Sequence, residues 1–536
     1  MSLFAVLFFL IWLPPVLAFG WFALRRLMSY LHIFQQEEYD GGRFLPWLAR
    51  TGSFDKKLSV VVILIGLARL FFAGPVAGHV ALLVTFVAFA VLEKDPRKRA
   101  KKRLVLTTRA RRILILAFVL TLLEGAVVSL GWTAMPLLWL LPIQLIPLNL
   151  VLGNLLAQPI EARVQQGFWR EAHDKLGALK PTVIGITGSF GKTSAKHILG
   201  HVLELHAPTL LTPGSVNTPM GIARVVREQL TGLHRYFVCE MGAYGPGSIE
   251  RLCRLAPPDI AVITAVGYAH YERFKSLDTV AHTKLELAEA VAARGGRIVI
   301  AQPILQFEAA RAFLARHKAL TTVVGDGEGA NLRVLAIRQT AEGLEVDIDW
   351  QGERHKIRAP LYGEHHGMNA ALSFAAAAVM GVPIENILLA LRTTPQIKHR
   401  LEVKHEPSGA VLIDDAYNSN PVGFAGALAV LDLFRTPAGR RILVTPGMVE
   451  LGAAHEAEHA RIGALAGAHV DVLLPVLPAR IEGMISAYQA ANPAGAVHPC
   501  DSFAVAQAWL RANAGVGDVV LLENDLPDLY EAKLSL

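Results

Sequence analysis

Residues 187–194 read TGSFGKTS. Glycines at 188 and 191 let backbone N–H groups approach phosphate oxygens. The lysine at 192 supplies a cation for the outer phosphates of a nucleotide, and the threonine at 193 offers a hydroxyl to Mg²⁺. Gly188, Ser189, Gly191, Lys192, Thr193 and Ser194 are therefore candidate phosphate-binding residues. The strict form of such a loop carries a glycine five residues before Gly191, where this chain has Ile186, with a further glycine at 185.

Such a loop needs a strand before it and a helix after it. PTVIGIT (181–187) is a short, apolar, β-branched run, which predicts a buried strand, and TSAKHILGHVLEL (193–205) reads as the helix. That helix directs its positive end at the phosphates. A second strand, in RYFVCEMGAYGPG (235–247), brings Glu240 to the same edge, where a carboxylate holds Mg²⁺ directly or through water. A third, in DIAVITAVGYAH (259–270), delivers His270, and the helix DTVAHTKLELAEAV (278–291) carries Lys284. Taken singly, His270 reads as a loop histidine and Lys284 as part of a solvated helix face.

Taken together, these segments resemble the Mur ligase family, the ATP-dependent amide ligases of peptidoglycan assembly. The resemblance runs from about 180 to about 520. It rests on GITGSFGKTS (185–194), NTPMG (217–221), EMGA (240–243), ITAVGYAHYERF (263–274), HTKLE (282–286), GEHHGMNA (363–370), HRLE (399–402) and DDAYNSNP (414–421). The last of these, followed by GMVELG (447–452), is most similar to the branch that adds D-alanyl-D-alanine. The resemblance implies that Lys192 and Thr193 serve the ATP phosphates and one Mg²⁺, that Glu240 ligates Mg²⁺, and that His270 helps hold a second Mg²⁺. It implies a carbamylated lysine at Lys284, adenine facing Asn369, and Arg400 and Asp415 approaching the nucleotide from the linker and the C-terminal domain. The implied reaction activates a carboxylate as an acyl phosphate, which an amine then attacks.

The first 160 residues are of another kind. The chain is 53% hydrophobic with a mean hydropathy of +0.39, and the excess lies at its front. Five apolar stretches, about 3–24, 58–74, 76–92, 113–132 and 134–156, approach the ~20 residues that span a bilayer. Pro14–Pro15 interrupts the first, which reads as a retained anchor, and Gly74–Pro75 turns the second into the third. The net charge of +7 gathers in KDPRKRAKKRLVLTTRARR (94–112), without interleaved aromatics. That pattern indicates a membrane loop facing anionic lipid rather than a nucleic-acid surface. With the basic 25–57 loop it predicts a multi-pass protein of the cell membrane, its body in the cytoplasm. Glu124 and Arg69 fall at membrane depth, either as functional groups or with Arg69 snorkelling and Glu124 pairing with a neighbouring helix. Three cysteines without metal-ligand spacing fit reduced thiols.

The expected architecture is thus an α-helical transmembrane region of about five spans (1–160), a P-loop α/β central domain (161–400) and a Rossmann-like C-terminal domain (401–536). Residues 321–361 alternate as a small accessory sheet, and 397–404 form the hinge. The resembled branch begins with a soluble domain that grips a UDP-sugar, where this chain has membrane sequence. It ends near a Lys-Gly-Ser turn, where this chain reads LLENDLPDLYEAKL (521–534). FKS (274–276) also replaces Phe-Gly-Ser. These departures favour a membrane-bound ligase whose carboxylate or amine partner is lipid-linked. The alternatives are D-alanyl-D-alanine addition to a soluble UDP-linked precursor and a catalytically silent ATP-binding membrane sensor. HEAEH (455–459) fits a zinc-protease pattern, but it lies where the resembled ligases carry a histidine-bearing helix.

Overall fold

The computed structural model describes residues 3–71, 75–99, 103–131, 136–267, 274, 276–417, 419–449 and 451–524. The chain divides into two compact units, Met1–Gln165 and Gln166–Asp525.

The first unit is helical. Its main helices are α1 (Leu3–Gln36), α2 (Gly41–Thr51), α3 (Lys56–Phe71), α4 (Pro75–Leu92), α5 (Thr108–Gly131) and α6 (Leu140–Leu179), the last continuing into the second unit. The sequence predicts a loop from residue 25, but α1 carries on to Gln36. The cause is ionic. Arg26 is buried and pairs with Asp55 at 3.1 Å and Glu93 at 3.3 Å, so two charged residues can sit inside the bundle. Ser29 donates to the same Glu93 at 2.5 Å. Glu124 on α5 accepts from Asn149 of α6 at 2.8 Å, and Asn149 also donates to Thr121 at 3.0 Å. The carboxylate at that depth is therefore held by a neighbouring helix. Arg69 is half-buried near the end of α3. Among the described residues two helices are long and apolar enough to cross a membrane, Thr108–Ser129 and Pro136–Leu179; Ala77–Leu92 is apolar but shorter. The Gly74 side of the predicted turn lies outside the described residues.

The second unit contains two sheets. The larger runs β2-β3-β1-β4-β5-β6-β7-β8-β9. Its strands are β1 (Thr182–Thr187), β2 (Thr209–Leu211), β3 (Tyr236–Glu240), β4 (Ile260–Ile263), β5 (Arg297–Ala301), β6 (Thr321–Gly325), β7 (Leu332–Thr340), β8 (Gly343–Trp350) and β9 (Glu353–Ala359). The helices between its early strands make those strands parallel and cover both faces. That is why TVIGIT and YFVCE are continuous apolar runs rather than alternating ones. The alternating stretch expected as a separate accessory sheet instead extends the main one. β6 pairs with both β5 and β7 in parallel, and β7, β8 and β9 then turn antiparallel. Helix α7 (Lys192–Glu204) follows the phosphate loop, and α8 (Leu277–Ala292) carries Lys284. The alanine-rich α9 (Glu364–Val379) lies close enough to α7 for Ser373 to donate to the Ala195 carbonyl at 3.3 Å.

The smaller sheet runs β10-β11-β15-β12-β13-β14. Its strands are β10 (Glu402–His405), β11 (Val411–Asp415), β12 (Arg441–Thr445), β13 (Val472–Pro475), β14 (Ala496–Val497) and β15 (Val519–Glu523). All neighbours are parallel except β10 and β11. The last strand inserts between β11 and β12, so residues 104 apart along the chain meet at one edge. All three cysteines are buried and unpaired: Cys239 and Cys253 in the larger body, Cys500 beside the smaller sheet.

At the start of β12, Arg441 ties three segments together. It donates to Asp432 at 2.7 Å, to both oxygens of Asp471 at 2.9 and 3.1 Å, and to the Ala468 carbonyl at 3.0 Å. Charge-assisted bonds to a fixed fork of donors are among the stronger ones. Arg441→Ala is expected to cost about 2 kcal/mol, because it removes a buried guanidinium and its charge-assisted bonds to three segments at once. Chemical denaturation checks this, and an unchanged midpoint would contradict it.

Candidate ATP site

The phosphate loop is clamped from the side. Ser189 N–H donates to Ala265 O at 2.8 Å, the Ser189 hydroxyl donates to Gly267 O at 3.0 Å, and Gly267 N–H returns to that hydroxyl at 2.8 Å. Thr264 donates to Phe190 O at 2.5 Å. The two diagnostic glycines are demanded by space. A Cβ on Gly188 would lie 1.9 Å from the Thr264 hydroxyl. Gly191 has φ +80°, and its Cβ would lie 2.6 Å from Asn369 Oδ1. The residue expected to face adenine thus sits against the loop itself, carried there by α9. Ser194 is buried in the first turn of α7.

Lys192 folds over the loop and donates to Gly188 O at 2.7 Å and Ser189 O at 3.3 Å. Burial pulls its amine below the usual lysine range, partly offset by the Glu240 charge. Phosphate oxygens would replace those carbonyls with stronger acceptors. Thr193 donates to Glu240 Oε2 at 2.9 Å, so a hydroxyl and a carboxylate oxygen converge at the end of β3. Hard oxygen donors at this spacing fit Mg²⁺.

Glu240 is 1% exposed and has two further partners. Asn217 donates to Oε1 at 3.2 Å, and Lys196 approaches Oε2 at 3.3 Å from one helical turn beyond Lys192. Asn217 lies in NTPMG (217–221), a motif that by itself gives it no role. Lys196 was not picked out at all, although its i+4 spacing from Lys192 on the helix places it on the same face. Tyr244 orients Asn217 through a 2.9 Å hydrogen bond.

Lys284 is not on a solvated face: it is 4% exposed. Burial, then the nearby charge of Lys192, push its amine well below the usual lysine range. His270 lies outside the described residues.

The segment joining the two sheets is bent at defined positions. His399 and Leu401 have φ of +57° and +52° and flank Arg400. Left-handed backbone at non-glycine residues is strained and persists only where the surroundings impose it. His399 lies 2.9 Å from Asp414, which also takes Lys404 at 2.9 Å. Arg400 stacks on the Tyr417 ring, 4.3 Å from its centroid. The Tyr417 hydroxyl meets that of Ser215, from the loop after β2, so this link spans the cleft between the two sheets. Asp415, the last residue of β11, accepts from the Leu401 amide at 3.3 Å.

The HEAEH histidines do not form a zinc site. His459 accepts from Met448 N–H at 2.9 Å on Nε2 and donates to His455 O from Nδ1 at 2.7 Å, which uses both ring nitrogens. His455 Nε2 donates to Arg480 O at 2.9 Å. Among the described residues the one cluster with metal-ligand spacing is His399, Glu402 and Asp414, and Lys404 bridges its two carboxylates.

Two measurements follow from this geometry. Lys192→Ala removes the cation closest to the loop carbonyls, and ATP turnover is expected to fall by about 100-fold or more; turnover at the wild-type rate would reject the phosphate-loop assignment. The second concerns pH. Burial pushes the Asp415 carboxyl up to about 6, against the pull of Arg400, the Leu401 amide and a hydrogen bond from Glu523, with the Asp414 charge adding to the rise. An unfolded aspartate titrates near ~3.9. Between about pH 4 and 6 the unfolded chain therefore releases a proton that the folded chain keeps, and stability falls across that window. Asp415→Asn abolishes this titration. Its melting temperature is expected to exceed the wild type's near neutral pH, by about 2–4 °C per kcal/mol regained, and the gap to close toward about pH 4. A gap that does not vary with pH would contradict the assignment.

Two family models match the chain: the Mur ligase middle domain over residues 186–377, and the Mur ligase, glutamate ligase domain over 399–523. The UDP-N-acetylmuramoyl-tripeptide–D-alanyl-D-alanine ligase of Mycobacterium tuberculosis (strain ATCC 25618 / H37Rv) is 34% identical over 367 residues, 64% of this chain and 70% of that protein. The enzyme of the same name from Bacillus subtilis (strain 168) is 30% identical over 373 residues, 67% of this chain and 78% of its own. Among solved structures, the MurF ligase of Thermotoga maritima in complex with ADP shares the fold, with a TM-score of 0.58 at 24% identity, over 69% of this chain and 82% of that one. The chain belongs to the Mur ligase family and is an ATP-dependent carbon–nitrogen ligase.

Proposed function

We propose that this ligase joins D-alanyl-D-alanine to the peptide carboxylate of a UDP-linked muramoyl precursor. The observation that carries this reading is the 34% identity over 367 residues to enzymes of that name, 70% of their length. The working division is a helical region to about 160, a central domain to about 400 and a C-terminal domain beyond it.

In this reading Lys192 holds the outer phosphates of ATP. Thr193 and Glu240 hold one Mg²⁺, and His270 with Lys284 a second. When bound, the ions neutralise charge between the attacking and leaving oxygens. The substrate carboxylate attacks the γ-phosphorus and ADP leaves. The amine then attacks the acyl carbon, phosphate leaves, and the amine's proton passes to solvent or a nearby base. Lys196 and Asn217 keep Glu240 oriented throughout. This nearly complete set argues against the silent-sensor reading, which a measurable amine-dependent ATPase would end.

Lys284 is assigned as a carbamate. Only a neutral amine adds CO₂, and burial beside Lys192 favours the neutral form. The full chain exposed to isotope-labelled CO₂ is expected to show a carbamate carbon by NMR that is missing in Lys284→Ala. That variant should be nearly inactive and partly rescued by short carboxylic acids. A signal unchanged by the substitution, or full activity in CO₂-depleted buffer, would remove the assignment.

A second reading concerns the location and the acceptor. The helical unit leaves large apolar residues in contact with solvent on several helices, among them Leu64, Val84, Ile115, Val127 and Leu141, each 58–67% exposed. Exposed apolar surface on this scale is unusual for a soluble body. It supports a membrane-embedded unit, in which a lipid-linked acceptor is the substrate to test. The test offers the full chain, in lipid nanodiscs, UDP-linked and lipid-linked tripeptide precursors with D-alanyl-D-alanine. Faster ligation of the UDP-linked precursor supports the first reading. Preference for the lipid-linked one supports the second. Ligation of neither sinks both.

A further inference from the structure

A lysine is almost never fully buried unless it is paired, and Lys196 of α7 is 0% exposed. Its ammonium donates to the Gly214 carbonyl and to Glu240 Oε2, the latter at 3.3 Å. The contact with Glu240 is an ion pair with both members buried. Such a pair adds little to stability, since apolar residues of similar volume often serve a fold as well. Glu240 does not depend on the lysine for hydrogen bonds either. Thr193 donates to Oε2 at 2.9 Å and Asn217 to Oε1 at 3.2 Å. The property left to account for is the positive charge.

A charge at this point acts on a divalent ion. A carboxylate oxygen accepts about two donors, and Oε2 already takes Thr193 and Lys196. An ion that reaches this oxygen must push the ammonium aside, and both are positive. Lys192, one helical turn earlier, adds further positive charge near the same carboxylate. A lone divalent ion is therefore repelled, whereas an ion carried in on nucleotide phosphates brings the compensating negative charge with it. The displaced ammonium is not stranded, because Gly214 O still accepts from it.

We propose that Lys196 is a positioning residue that keeps Glu240 closed to a lone divalent cation and yields it to one escorted by the nucleotide. The inference rests on the placing of one Mg²⁺ on Thr193 and Glu240 given above. It adds an order of binding to that reading: the metal enters with the nucleotide or after it.

The test titrates the full chain in detergent, without nucleotide, with Mn²⁺ as a stand-in for Mg²⁺ that electron paramagnetic resonance detects. Lys196→Gln is expected to bind the ion about 10-fold or more tightly than wild type, because the like charge is gone while an N–H donor remains. The gain is expected to vanish in Lys196→Gln/Glu240→Gln. A lysine needed only for folding would not improve metal binding when removed. Calorimetry of ADP binding with and without Mn²⁺ measures the coupling between the two ligands. Mn²⁺ is expected to tighten ADP about 10-fold or more in wild type, and by a smaller factor in Lys196→Gln. If Lys196→Gln binds Mn²⁺ no more tightly than wild type, and Glu240→Gln abolishes the coupling, the inference is overturned while the Glu240 metal site stands. If Lys196→Gln does not fold, wild type and Glu240→Gln decide. Glu240-dependent Mn²⁺ binding that is as tight without ADP as with it overturns the inference, and binding seen only with ADP supports it. If Glu240→Gln leaves the coupling intact, Glu240 holds no metal, and the metal assignment falls together with the inference.

Discussion

The ligase half depends on one carboxylate held where water cannot reach it. Glu240 is enclosed at the end of β3, where a carboxylate without partners would be costly. Thr193 and Lys196 of α7 and Asn217 of the loop after β2 supply those partners. The first turns of α7, the loop after β2 and the central strands are therefore fixed relative to one another by a single desolvated group. Lys196 is the telling member. Without a divalent ion it carries the compensating charge. With an ion bound to Glu240, its positive charge becomes a competitor that the phosphates must offset.

A second constraint acts on the link between the sheets. Arg400 is flanked on either side by backbone in an unfavourable left-handed conformation. The ion pairs of His399 and Lys404 with Asp414, and the stacking of Arg400 on Tyr417, hold that conformation. The guanidinium is thus positioned by several modest contacts rather than one strong one. Such an arrangement can be undone and remade as two domains move.

Local chemistry was legible in the sequence; depth and long-range pairing were not. The strand–loop–helix around TGSFGKTS and the strand ending in Glu240 follow from short apolar runs and glycine spacing, and the structure has both. Lys284 stands out in the sequence only through its company, because a lysine on an amphipathic helix carries no sign of which face it occupies; the structure buries it. Lys196 was missed for the same reason. Glu523 had no local signal at all. Its meaning comes from β15 inserting between β11 and β12, a pairing that brings it beside Asp415 across more than a hundred residues. The continuous α1 was misread for an electrostatic reason: Arg25 and Arg26 look like the end of a span until Asp55 and Glu93 are seen to partner Arg26.

The thiols give the molecule a built-in reporter. Residues 1–165 contain no cysteine, and all three thiols lie buried in the ligase half. A thiol reagent can therefore reach this protein only when that half opens. Cys239, next in sequence to Glu240, and Cys253 report on the body around the larger sheet, and Cys500 on the smaller one. Labelling rates followed by mass spectrometry would separate the opening of the two bodies in the intact chain, in detergent or lipid, without introducing a single probe residue.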